Sequence, residues 1–162
     1  MKRLAAATFV AVLVIPLTAN SQTRPDFSGA WTMDPVRSES TRQGEPVEPV
    51  RVVIAQSPGE VRIETTRGQK TETIVYPLGQ SHPVNPANPT LQPEAYWDGD
   101  TLVTETQRQV QGYAVTVKEI RALAPGGSEM ITETTVVVQH GYTMPGVKNY
   151  GTARDVFRRT TQ

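Results

Sequence analysis

From Val50 to Thr160 the chain is cut repeatedly by turn chemistry, and between the cuts apolar residues recur at every second position. Ser57-Pro58-Gly59-Glu60, Arg67-Gly68-Gln69, Asp98-Gly99-Asp100 and Pro125-Gly126-Gly127 are tight-turn sequences. Proline presets the backbone of a turn's first central residue, and glycine adopts the positive φ that other residues resist. Val50, Val52 and Ile54 share one face of a strand over 50–56, and 61–66 and 70–76 return as its meander partners. Segments 94–98, 101–107, 113–123, 129–138 and 150–160 read as strands in the same way. Helical periodicity is almost absent after the N-terminal residues. Short, sequential, hairpin-linked strands give an all-β fold, an antiparallel up-and-down meander of about eight to ten strands closed into a barrel.

The N-terminus reads as a leader and not as part of that fold. Lys2 and Arg3 precede an apolar run from Leu4 to Leu17, and Ala19-Asn20-Ser21 supplies small residues for cleavage. The run is too short and too quickly interrupted to span a bilayer. The expectation is a signal peptide over 1–21, with cleavage after Ala19 as the alternative, and one exported domain over 22–162, periplasmic or secreted. Of the 16 Lys and Arg, the leader would take Lys2 and Arg3, so the mature chain carries 14 against 16 acidic residues, a net −2. With no basic run, nucleic acid and anionic membrane are poor partners, and no membrane span is expected. The chain has no cysteine. It must therefore hold together by sheet closure and packing, and thiol catalysis, thiolate metal sites and a lipidated N-terminal cysteine are excluded.

Three stretches interrupt the strand pattern. Residues 34–49 are rich in Pro, Glu, Arg and Ser, and read as a surface connection with one helical turn starting at Asp34-Pro35. Residues 77–93 hold Pro77, Pro83, Pro86, Pro89 and Pro93, which excludes central strand. Gln139 to Gly146 is a further loop. Inside 113–123 the apolar alternation of Tyr113, Val115 and Val117 slips before Ile120, which predicts a bulge or bend near Lys118-Glu119. An irregular echo also recurs, a turn followed by an apolar-x-x-Glu-Thr strand, and it places Glu64, Glu105 and Glu133 alike.

The opening Asp26-Phe27-Ser28-Gly29-Ala30-Trp31 has a physical use at the closed end of a barrel: Gly29 lets the chain bend sharply and Trp31 plugs the end. Here the chain resembles the lipocalin-like, calycin-type barrels. In that family a Gly-x-Trp sits on the first strand and a basic residue of the last strand packs over the Trp. The resemblance implies structural roles for Gly29, Trp31 and a C-terminal arginine, with Arg154, Arg158 and Arg159 as the candidates. The opening and the Trp97-Asp98-Gly99-Asp100 hairpin also look like those of exported bacterial proteins that begin Asp-Phe-Ser-Gly-x-Trp.

Candidate chemistry is sparse. Glu64, Glu105 and Glu133 would line a cavity if they faced inward, and would then bind a cation or do acid–base work. Their neighbours Thr66, Gln107 and Thr135, and the cost of burying a carboxylate, favour the solvated outer face. His82 and His140 are the only histidines, in separate loops and without metal-ligand spacing, so no metal and no cofactor is expected. No Gly-x-Ser-x-Gly elbow or phosphate-cradling glycine loop is present. The aromatics Tyr76, Tyr96, Trp97, Tyr113 and Tyr142, with His140, are the ligand-lining candidates; the competing reading is that they fill a small barrel.

The sequence thus leads to an exported lipocalin-like barrel that binds a small, mostly apolar or aromatic ligand at its open end. Loops 77–93 and 139–146 would frame the mouth. One alternative is an enzyme pairing His82 or His140 with a strand carboxylate. Another is a filled barrel that serves as an interaction module.

Overall fold

A computed structural model describes residues 24–39, 49–79, 93–139 and 149–160. The predicted leader, both histidines and Tyr142 lie outside them. The described residues form nine strands: β1 (Gly29–Met33), β2 (Val50–Gln56), β3 (Glu60–Arg67), β4 (Lys70–Pro77), β5 (Glu94–Asp98), β6 (Thr101–Val110), β7 (Tyr113–Leu123), β8 (Glu129–Gln139) and β9 (Tyr150–Thr160). Among these residues there is no helix. The turn after β1 is a single one, in which Arg37 N–H donates to the Asp34 carbonyl at 3.2 Å.

The sheet runs β4-β3-β2-β1-β9-β8-β7-β6-β5, every pair antiparallel. Each strand therefore pairs with its neighbours in sequence, and the last pairs with the first. This is an up-and-down antiparallel barrel, closed among the described residues everywhere except between β4 and β5. Among the described residues that gap is crossed at one end only, where Leu78 bridges Ala95 and Gly79 N–H donates to the Ala95 carbonyl at 3.0 Å.

Register decides which residues face inward, because residues paired across an antiparallel ladder share a face. Trp31 stands opposite Val52 and Arg159, Ile54 opposite Ile63, and Ile63 opposite Ile74. The inward side chains at one end make the core: Phe27, Trp31, Met33, Val52, Ile54, Val61, Ile63, Leu102, Met130 and Phe157 are all buried. The turn 57–59, the chain leaving β4, the turn 99–100 and the turn after β7 gather at this filled end. The turns 68–69 and 111–112, and the ends of β8 and β9 at Gln139 and Tyr150, lie at the opposite, open end.

One expectation changes here, and a second falls mostly outside the described residues. The ladder from Leu102 opposite Arg121 to Val110 opposite Tyr113 runs without an inserted residue, as does that from Ala114 opposite Gln139 to Leu123 opposite Met130. There is no bulge near Lys118-Glu119. The frame is constant, so Glu119 and Arg121 face inward while Ile120 faces out. Second, the Pro-rich segment leaves β4 at the filled end, where Leu78 N–H donates to the Gly59 carbonyl at 2.8 Å. It returns to the sheet at Glu94, opposite Glu105, and residues 80–92 and 140–148, expected to frame the mouth, lie outside the described residues.

Candidate functional site

The interior is built in layers, and the lowest is a plug. Trp31 is fully buried, its indole N–H donating to the Phe27 carbonyl at 2.9 Å. The Arg159 guanidinium lies over the ring, 4.2 Å from its centroid. It also donates to three carbonyls: Asp26 at 2.9 Å, Gly127 at 3.0 Å, and Ser28. Gly29 makes room for this, since its φ is +127° and a Cβ there would stand 3.0 Å from Arg159 Nη1. Of the three arginines offered by the resemblance, the one over Trp31 is Arg159. Arg154 and Arg158 sit at the other parity of β9 and point outward. Arg158 pairs with Asp34 at 2.9 Å, and Arg154 lies opposite Glu133.

Above the plug the inward residues turn polar. Leu102, Arg121, Thr132 and Asp155 form one rung across β6 to β9, and Thr104, Glu119, Thr134 and Ala153 form the next. Arg121 is 3% exposed. It donates through Nη1 to Thr104 Oγ1 at 2.7 Å and through Nη2 to Glu119 Oε2 at 2.6 Å. A buried guanidinium without such partners would be very costly, so Thr104 and Glu119 are what permit it. The Thr104 hydroxyl also hydrogen-bonds Tyr76, whose phenol is pushed up to about 12, chiefly by burial.

Two polar atoms of this layer are left over. Thr132 Oγ1 and Asp155 Oδ1 are buried with no hydrogen-bond partner, and the two residues are direct partners in the ladder. Burial pushes the Asp155 carboxyl up to about 6; the charge of Arg67 opposes the shift and that of Glu119 adds to it. Toward the open end β7 and β8 present an apolar wall, with Val115, Val117, Val136 and Val138 facing inward beside Thr106, while Arg108 of β6, Arg67 of β3 and Lys70 and Glu72 of β4 share the inward parity. Val115 is buried, but Val117, Val136, Val138, Thr106 and Thr134 stay partly accessible. Inward-facing residues that keep accessible surface border open space inside the barrel.

The predicted lining residues fall in different places. Tyr76 and Trp97 face inward at the filled end, where Tyr76 is core and the Trp97 ring sits 5.9 Å from that of Phe27. Arg24 covers Trp97 from outside at 5.2 Å. Tyr113 stands at the open rim, 45% exposed. Tyr96 does not line the interior. It faces outward, donating to Glu105 Oε1 at 3.0 Å and accepting from Lys118 Nζ at 2.9 Å. Odd-numbered Glu105 and Glu133, like Glu64, lie on that outer face, each opposite an outward residue of the next strand.

The polar layer of Thr104, Glu119, Arg121, Thr132 and Asp155 carries the interior chemistry, and none of it was singled out from the sequence as a site. Its signal was the slipped alternation in β7. The slip marks charged residues on the inward face and not a break in the ladder. Among the described residues, no three His, Asp or Glu side chains are arranged to hold a metal ion, and no helix is long and apolar enough to cross a membrane.

No family model and no curated protein matches the chain. Among solved structures, the crystal structure of a point mutant of the fluorescent protein UnaG is similar at 15% identity and a TM-score of 0.49. The match covers 84% of this chain and 97% of that one.

Proposed function

We propose that this protein is an exported binding protein that holds a small amphipathic ligand inside its barrel. The ligand's apolar body lies against Val115, Val117, Val136 and Val138, and its polar head reaches down to the layer of Thr104, Arg121, Thr132 and Asp155. The observation that carries this reading is the accessibility of inward-facing side chains in the middle and upper barrel, above a filled apolar end. A filled barrel serving only to present loops would bury them, as cores are packed to crystal-like density. Export rests on the leader pattern of Lys2, Arg3 and the apolar run that follows.

Native mass spectrometry of the protein purified from its producing cells tests the reading. A retained small-molecule adduct of defined mass supports it. Val117→Phe, which fills the space from the wall, should abolish that adduct while changing stability by less than about 1 kcal/mol, since no packed neighbour has to move. A loss of about 1–3 kcal/mol, the usual cost of overpacking, would instead mean that the space is already filled.

A further inference from the structure

The polar layer is unevenly matched in charge and in hydrogen bonding. Arg121 is spent: its guanidinium is closed by Glu119 on one side and Thr104 on the other, and only 3% of the residue is exposed. Asp155 is not. Among the described residues it makes no ion pair: the Glu39 backbone N–H donates to its carboxyl, and the charge of Arg67 is opposed by those of Glu119 and Glu39. Beside it on the neighbouring strand stands Thr132, 4% exposed, with its hydroxyl unpartnered. Paired residues on one face of a ladder have Cβ atoms about 5 Å apart, so the two unpartnered oxygens belong to neighbouring side chains of one wall. The deep layer thus offers acceptors and one uncompensated carboxylate. A carboxylate ligand would meet Glu119 and Asp155 with the one buried cation already taken.

We infer that the head group this interior site accepts is a protonated amine, held by Asp155 Oδ1 and Thr132 Oγ1. The inference rests on the ligand-binding reading above and names the chemistry of the same site. An ammonium donates in up to three directions, so it satisfies both leftover oxygens and supplies the charge that Asp155 lacks. Its alkyl part then runs up the valine wall toward the open end. A neutral alcohol can satisfy the hydrogen bonds but not the charge.

Three probes with one chain and different heads separate these cases: dodecylammonium, dodecanol and dodecanoate, titrated by calorimetry at neutral pH below micelle-forming concentrations. Dodecylammonium should bind at least about tenfold tighter than dodecanol, and dodecanoate weakest. Asp155→Asn should bring dodecylammonium down to the affinity of dodecanol and leave dodecanol within about threefold. Thr132→Val, nearly isosteric, should weaken both by about threefold to tenfold. If dodecanoate binds tightest, the amine assignment is overturned and the ligand-binding reading stands. If dodecylammonium binds tightest but neither variant changes it, the assignment to this pair of oxygens is wrong. If the folded protein binds none of the three, the binding reading falls and the inference with it.

Discussion

The two ends of the barrel are built from the same strands by the same alternation, yet they have opposite interiors. At the filled end the inward positions are apolar and mostly buried except for one charge, Arg159, which lies on top of Trp31 as a lid with its donors turned to backbone carbonyls. In the middle, the same inward parity carries Thr104, Glu119, Arg121, Thr132 and Asp155, and two of their polar atoms have no partner. The filled end satisfies its own polar groups. The middle leaves two without a partner. If the proposed binding is right, stability and function separate along the barrel axis, which substitutions at each level test.

The largest effect belongs to the plug. Trp31→Ala removes a fully buried indole and the platform under Arg159, and should cost about 3–5 kcal/mol in urea unfolding. A cost under about 1 kcal/mol would mean that the filled end does not carry the fold. The middle layer should respond differently. Arg121→Met strands the inward carboxylate of Glu119 and should cost about 2–3 kcal/mol. Adding Glu119→Leu should restore most of that loss, since an apolar replacement of a whole buried pair is often near neutral. No such rescue exists for Trp31, whose contribution is volume.

This contrast also explains what could be read from the sequence. The strands were legible because turns and alternation are local: all nine were anticipated, with β6 running three residues further, to Val110, before a turn in which Gln111 takes a φ of +52°. The plug was legible because Gly29 and Trp31 stand in one motif. Which arginine covers it followed only from parity, set by the pairing of Trp31 with Arg159. The polar layer was hidden because reading β7 with apolar residues inside turns Glu119 and Arg121 into an apparent bulge. Their partners Thr104, Thr132 and Asp155 come from β6, β8 and β9, up to 36 residues away in sequence, and only the pairing of those strands brings them together. Tyr96 failed as a lining residue for the same reason, since its face is fixed by its pairing with Val103 and not by its chemistry.

The smallest effect is also the most discriminating, because its sign separates a residue kept for stability from one kept for binding. The Asp155 carboxyl titrates at about 6 in the folded protein against an ordinary 3.8, chiefly because it is buried. Between those values the folded state holds a proton that the unfolded state has released, so this group's contribution to stability falls as pH rises. The penalty is fully present above about pH 7 and gone below about pH 4. Asp155→Asn should therefore be more stable than the parent by about 1 kcal/mol at neutral pH, a figure reduced for solvent screening of a half-buried group. The two unfolding curves should converge as pH falls toward 4. Other titrating groups, such as Glu129 held low by Arg37, are common to both proteins and cancel in the difference. If Asn is instead destabilising at neutral pH, the carboxylate is held by partners inside the barrel, and it is not the unfilled half of a site. If Asn stabilises as expected, the native residue costs the fold free energy at neutral pH, which is how a binding group differs from a core residue such as Trp31.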